Sequence, residues 1–276
     1  MDNVFAVLSS SFARKAILVA FLAGGSISIL GAFLNIKGAN FLGAALAHTI
    51  FSAGALAYLL GLPVFPVAFF SAITVSFLSY FLALREGGTV ERTSGLLFTF
   101  TMALGILFVS LMKRYDPSVM ALLFGDILTA GTEDIVASLI TAVLTFVGFV
   151  LLWRKMVIIF QDREFARVIG IKVVLIEVAF LSVLSLASVS FIKGIGALLF
   201  FAFLFSPPAT SSILCRGLSC YFISSLITGI VASVSGTVLS FVFDIPSGPA
   251  IVLILMLFYF SAWIFNYLKG LRSQRG

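Results

Sequence analysis

Apolar stretches of about 20 residues recur along almost the whole of this 276-residue chain, with short polar intervals between them. An α-helix of that length crosses about 30 Å of hydrocarbon. Only 10% of the residues are charged, against roughly 25% in a soluble domain, and 61% are hydrophobic. No polar interval is long enough for a soluble domain. We therefore predict an all-α, polytopic transmembrane helical bundle that forms a single domain over residues 1–276.

Nine of these stretches are long enough to be membrane spans. They lie at about 16–34, 41–61, 64–84, 94–112, 135–153, 174–191, 195–214, 221–243 and 249–268. Eight spans is the alternative count, if the first apolar run does not cross fully. The interval from Lys113 to Asp134 is too interrupted to span. Its most apolar part, Val119–Leu128, is predicted to be a short helix that lies at the surface or dips inward.

The basic residues predict the orientation of the spans. With nine spans and a cytoplasmic C-terminus, twelve of the 17 Lys and Arg residues lie inside and five outside, as the positive-inside rule favours. The five outer residues are Arg14, Lys15, Lys113, Arg114 and Lys193. Because the basic residues sit at helix ends, the net charge of +6 does not indicate a nucleic-acid partner.

A charged segment of about ten residues, Asp162–Ile171, separates two long apolar runs. Asp162 is suited to cap the start of a short helix and Gly170 to end it. Phe165, Val168 and Ile169 form one apolar side at helical spacing, while Arg163 and Arg167 lie on the other. Such a helix can be presented to a soluble partner. A solvated loop between spans is the alternative.

This segment also resembles the Asp-Pro-Glu-Phe-Ala-Arg-Ala-Leu-Gly-Ile motif in permease subunits of bacterial ABC-type zinc, manganese and iron importers. Three further stretches are similar to motifs of that family and follow in the same order. They are Tyr115–Asp116 with Leu123–Leu128, Gly196–Leu199 with Ser206–Thr210, and Asp244–Val252. The resemblance covers the chain from about Gly31 to its end.

The resemblance implies a fold like that of type II ABC importers and a place in the bacterial inner membrane. It implies that 162–171 is a cytoplasmic coupling helix on which a separate ABC ATPase docks. The residues implied in ATPase coupling are Asp162, Arg163, Glu164, Phe165, Arg167 and Gly170. It further implies a homodimer, an extracytoplasmic metal-binding protein, and alternating access for a divalent transition metal (zinc, manganese or iron).

The chain itself has no Gly-x-x-x-x-Gly-Lys-Ser/Thr loop for nucleotide phosphates and no cluster of nucleophile, base and orienting group. We therefore expect a transport subunit without enzymatic chemistry and without a permanently bound cofactor. The alternatives are a secondary carrier driven by an ion gradient, or an importer of this fold with a different substrate. Carriers tend to show internal repeats and intramembrane carboxylates, and no clear example of either is visible here.

The only histidine, His48, is the candidate metal contact. Asn40, Ala44, His48 and Ser52 recur every four residues and place small or polar groups on one side of the second span. An ionisable residue in a span faces the bundle interior or a water-filled route. We therefore predict that His48 lines the translocation route, with Asn40 and Ser52 beside it. A hydrogen bond from His48 to a neighbouring helix is the alternative.

The family resemblance supports the route interpretation but with a departure. The segment Gly43–His48 is similar to a family motif, Gly-Asp-x-Leu-x-His, in which the Asp and the His face the route. Ala44 stands at the position of that Asp. One of the two expected polar groups is therefore missing, which leaves the identity of the metal open.

Four other features carry expectations of their own. Glu91 is expected to cap a helix in a solvated turn, and Glu177 to reach water or pair with Lys172. Ser206-Pro207-Pro208 interrupts the seventh span, either as a break that lines a cavity or as a bend with a packing role. Cys215 and Cys220 are expected to give neither a disulfide framework nor the paired spacing of a metal site.

Overall fold

A computed structural model describes residues 11–112, 122–123, 125 and 131–273. These residues form ten α-helices: α1 (Ser11–Lys37), α2 (Asn40–Leu60), α3 (Val64–Glu86), α4 (Val90–Leu111), α5 (Thr132–Gln161), α6 (Arg163–Val168), α7 (Val173–Ile195), α8 (Ala197–Leu214), α9 (Leu218–Phe243) and α10 (Ser247–Ser273).

Nine of the helices in the described ranges are long and apolar enough to cross a membrane, and α6 is the short exception. The nine spans predicted from the sequence are thereby confirmed. The clearest difference is α5, which continues to Gln161 rather than ending near residue 153. Met156, Val157 and Ile159 are buried, so Arg154 and Lys155 end the purely apolar stretch but not the helix.

Helices α1 and α2 form the centre of the bundle. Their most apolar windows are 83% and 78% buried, whereas those of α4 and α5 are 17% and 22% buried. Helix α1 packs mainly against α5, α8 and α9, and α2 against α3, α4 and α8. The outer helices expose Leu, Ile, Val and Phe side chains, which is the surface that a bundle presents to lipid.

Glycines bring α1 close to its neighbours, because a residue without a side chain lets two helix backbones approach. A Cβ atom on Gly229 of α9 would lie 2.4 Å from the carbonyl oxygen of Gly24. A Cβ atom on Gly31 would lie 2.1 Å from the carbonyl oxygen of Leu204 in α8. Both crossings therefore depend on the absence of a side chain on the glycine.

The two prolines of α8 do not divide it. The helix runs from Ala197 to Leu214 with Pro207 and Pro208 inside it, and both are buried. Pro208 has no N–H to donate to the carbonyl of Leu204, four residues earlier. That carbonyl instead lies against Gly31 of α1. The structure therefore favours a packing role for the prolines over a break in the span.

Cys215 and Cys220 form a disulfide across the turn between α8 and α9, with a Cα–Cα distance of 5.6 Å. The expectation that they form no disulfide was wrong. A tight turn between two antiparallel helices brings residues five apart into bonding range, and spacing alone carries no sign of that turn.

Candidate translocation cavity and coupling helix

His48 lies in a partly open cavity of about 530 Å³. Helices α2, α4 and α8 form its walls together with Leu123. The lining residues are Phe41, Ala44, Ala47, His48, Phe98, Leu123, Ala197, Leu198 and Phe201. Apart from the imidazole these side chains are apolar, so His48 is the one polar side chain that the described residues offer to a solute in the cavity.

The imidazole of His48 stands edge-on to the ring of Phe98, with 4.7 Å between the ring centroids. Its Nδ1 atom is buried and has no hydrogen-bond partner in the described part of the chain. A buried polar atom without a partner costs roughly 1–3 kcal/mol. A neutral imidazole can ligate a transition metal through either nitrogen, and the side chain lines the cavity, so His48 fits a transient contact to a metal ion that passes through.

The other members of the predicted stripe are placed differently. Ala44 lines the cavity one turn before His48, as the spacing predicts. Asn40 is the first residue of α2, and Ser52 is buried one turn after His48. Neither is among the residues that line this cavity, so their place on the route stays a prediction. The structure describes no group of three or more His, Cys, Asp or Glu side chains that could hold a metal.

Leu122 and Leu123 are the described part of the interrupted stretch that the sequence assigned to a short helix, and both are helical. Leu122 is buried against Gly54 of α2, and Leu123 lines the cavity. The described residues therefore lie against the bundle. The rest of Val119–Leu128, apart from Gly125, lies outside the described residues.

Glu91 fixes the start of α2. Its Oε2 accepts a hydrogen bond from the backbone N–H of Phe41 at 2.9 Å. Thr89 caps α4 itself, since its hydroxyl oxygen accepts from the N–H of Arg92 at 3.3 Å. The predicted capping role of Glu91 thus falls on a neighbouring helix, 50 residues away in sequence.

Helix α6 has the ends that the sequence predicted. Asp162 Oδ1 accepts a hydrogen bond from the N–H of Phe165 at 2.9 Å, which caps the first turn. Gly170 has a φ of +81°, a backbone conformation that favours glycine and stops the helix. The segment is therefore an ordered helix rather than an irregular loop.

The apolar side of α6 faces away from the bundle. Phe165, Val168 and Ile169 are 55%, 84% and 49% exposed. Beside them, Arg167 pairs with Glu164 at 2.6 Å. An exposed apolar side bordered by charges, outside the apolar length of the neighbouring spans, is suited to a protein partner.

Arg163 and Arg167, which the helical spacing places on the same side of α6, have different surroundings. The side chain of Arg163 points into the bundle, where its Nε lies 3.2 Å from Glu177 Oε2. Burial lowers the pKa of Arg163, but the nearby Glu177 carboxylate and Tyr80 hydroxyl raise it overall, so the guanidinium stays charged. Glu177 is buried and pairs with Lys37 as well, so the predicted pairing with Lys172 was wrong.

Residues 9–266 match the ABC 3 transport family. The chain belongs to this family. It is 31% identical over 265 residues to the chelated iron transport system membrane protein YfeC of Yersinia pestis, which covers 95% of this chain and 88% of that protein. It is 25% identical over 268 residues to the manganese transport system membrane protein MntC of Halalkalibacterium halodurans, covering 97% and 92%.

The fold of this ABC 3 family member is similar to that of a chain in the structure of PsaBC from Streptococcus pneumoniae in complex with Fab. The TM-score is 0.81 at 22% identity, and the match covers 95% of each chain. Together with the nine apolar helices of the described residues, the family places the protein in the inner membrane as a multi-pass permease subunit of an ABC transporter.

Proposed function

We propose that this protein is the membrane permease of an ATP-driven importer for a divalent transition metal. The observation that carries the proposal is α6, a capped helix with an exposed apolar side in a chain of the ABC 3 transport family. The named relatives belong to iron and manganese transport systems. Iron and manganese are therefore the first substrates to test, and zinc is the third.

The energy source is a separate ABC ATPase that docks on α6. The sequence contains no nucleotide-binding loop of its own. Phe165, Glu164 and Arg167 present the surface that a groove on the ATPase would bind, in the manner of a helix laid into an apolar groove. An extracytoplasmic protein delivers the metal at the opposite end of the bundle.

Two copies of the permease enclose the route. The His48 cavity is partly open, and an ionisable side chain facing lipid is unfavourable. A second copy placed over the opening would shield both imidazoles and line a shared passage. ATP binding would draw the two coupling helices together and change the side of the membrane to which the passage is open.

His48 makes the metal contact within this passage. The one imidazole among the described lining residues falls short of the three or four ligands of a tight metal site. Weak coordination suits a passage, because a tightly bound ion would not be released. Selectivity then rests largely on the extracytoplasmic binding protein.

The coupling helix provides the direct test. We expect Phe165→Asp to leave the permease in the membrane but to abolish copurification of the ATPase and uptake of radioactive manganese, iron and zinc. Charge at this position would oppose docking of an apolar side chain in a groove. Ile245→Asp is the control, because Ile245 is an exposed apolar residue in the turn between α9 and α10, at the opposite end of the bundle.

Normal ATPase recovery together with normal uptake in Phe165→Asp would overturn the assignment of α6 as the coupling helix. Uptake of none of the three metals by the unaltered complex would overturn the substrate class. ATPase recovery with Ile245→Asp should match that of the unaltered protein.

A further inference from the structure

A buried ionic cluster lies where α6 meets the spans, and we call it the Glu177 cluster. Its members are Lys37, Tyr80, Arg163 and Glu177. Glu177 Oε1 accepts from Lys37 Nζ at 3.0 Å, and Oε2 accepts from Arg163 Nε at 3.2 Å. Arg163 Nη2 donates to the Tyr80 hydroxyl at 2.8 Å, and that hydroxyl donates to Glu177 Oε2. The cluster therefore joins α6 to α1, α3 and α7.

The members of this cluster depend on one another. Glu177 and Tyr80 are 2% and 1% exposed, and Lys37 Nζ also lies 4.8 Å from the centre of the Phe160 ring. A buried carboxylate is unfavourable unless it is paired and hydrogen-bonded. Removal of one partner leaves a buried charge uncompensated, which costs more than the pair itself contributes. The four side chains are therefore held as a unit.

Arg163 is the long side chain by which α6 reaches into the bundle. The side chain of Glu164 is 77% exposed, and Phe165 and Val168 are exposed as well, while the buried Ala166 offers only a methyl group. Helix α6 otherwise packs against the end of α5 and the start of α7. Arg163 thus links α6 to α3 through Tyr80, and to α1 through Glu177 and Lys37, although neither helix is adjacent to α6 in sequence.

The cluster also lies beside the start of the helix that carries His48. Lys37 is the last residue of α1, and only Gly38 and Ala39 separate it from α2. Tyr80 lies in the last part of α3, and Glu91, just after the following turn, caps α2. The backbone thus connects the cluster to the start of α2, directly through Gly38 and Ala39 and, from α3, through the turn before Glu91.

We propose that the Glu177 cluster is the joint that converts movement of α6 into movement of α1, α3 and the start of α2. Arg163 and Glu177 are its positioning residues. The proposal rests on the proposed function, because α6 moves only if an ATPase docks on it. A connection of packed and hydrogen-bonded elements is a physical route by which coupling between distant sites can travel.

The test uses the full permease–ATPase complex in proteoliposomes and measures metal uptake, ATP hydrolysis and ATPase copurification in parallel. In Glu177→Gln and Arg163→Gln we expect the ratio of metal imported to ATP hydrolysed to fall about tenfold, within the usual range for coupling between sites. ATPase copurification should stay normal, because the exposed side of α6 is intact. The double variant should be no worse than either single one, since both act through one unit.

Lys172→Gln is the matched control, because Lys172 is an exposed cation between α6 and α7 that takes no part in the cluster. Its ratio should equal that of the unaltered complex. Tyr80→Phe removes only a hydroxyl group from the cluster, and a smaller fall in the ratio is expected. This variant decides the question if Glu177→Gln does not fold.

Unchanged ratios in the cluster variants would overturn the joint. Loss of ATPase copurification in Arg163→Gln would also overturn it, because the cluster would then serve only to present α6 for docking. These outcomes are separate from failure of the proposed function, in which the unaltered complex itself would recover no ATPase or import no metal.

Discussion

At the scale of single residues, His48 and Ala44 limit the ligand atoms that this side of α2 offers to a metal ion. Among the described side chains that line the cavity, His48 is the only polar one, and its Nδ1 has no hydrogen-bond partner within the same residues. Ala44, one turn away and 8% exposed, faces the same cavity but carries no ligand atom. The pair therefore offers a cation one neutral contact rather than a charged site.

We expect His48→Ala to lower metal uptake about tenfold or more, since a contact to a charged group contributes roughly 1.5–3 kcal/mol. Basal ATP hydrolysis and assembly should be largely unchanged.

Ala44→Asp should change uptake or the order of preference among manganese, iron and zinc, because a carboxylate would then face the cavity. Initial uptake rates at matched expression measure both effects, with Tyr58→Phe as a control on the same helix. Unchanged uptake of all three metals in both variants would mean that this side of α2 only packs.

At the scale of elements, the crossing of α1 and α8 combines two local sequence features. Pro208 removes the N–H that the carbonyl of Leu204 would accept in a regular helix, and Gly31 lets that carbonyl approach the backbone of α1. Neither feature alone specifies the crossing. The close crossing therefore accounts for both the small residue, Gly31, and the helix-breaking residue, Pro208.

Gly31→Ala should destabilise the protein by about 1–3 kcal/mol, because the new methyl group would overlap a backbone carbonyl that cannot turn away. A Cβ atom added at Gly148 of α5 would have no described atom within 4 Å. Gly148→Ala should therefore be neutral or stabilising by up to about 1 kcal/mol, through helix propensity alone. Apparent melting temperatures in detergent compare the two. Equal melting temperatures would show that α1 and α8 are less closely packed than the structure indicates.

The sequence predicted what local pattern determines. Apolar length indicated nine spans, and Asp162 and Gly170 marked the ends of α6. It did not predict the partners of Glu177, because Lys37 and Tyr80 are 140 and 97 residues away and no spacing rule connects them. Burial decides how such a carboxylate is satisfied, and burial depends on which helices pack together.

Viewed as a whole, the molecule has two unlike ends. One carries α6, the Glu177 cluster and the turn that holds Cys215 and Cys220. Tyr221, just after that turn, donates to Asn35 near the end of α1, which fixes the turn on this side. The other end carries the 2.9 Å ion pair between Lys193 and Asp134. The charge count predicts that the α6 end is cytoplasmic.

This orientation has a testable consequence for the cysteines. Disulfides are rare in the reducing bacterial cytoplasm and persist on the oxidising outer side. If the α6 end is cytoplasmic, the Cys215–Cys220 disulfide that the structure shows should be reduced to two thiols in the cell. An impermeant maleimide should then label the unaltered protein only after lysis, with no prior reduction.

Introduced cysteines test the same orientation in a Cys215→Ser/Cys220→Ser background. Ile245→Cys, at the opposite end, should be labelled in intact spheroplasts, whereas Glu86→Cys should be labelled only after lysis. Labelling of Glu86→Cys from outside, or a Cys215–Cys220 pair that reacts only after reduction, would mean that the α6 end faces outward and that no cytoplasmic ATPase can reach it.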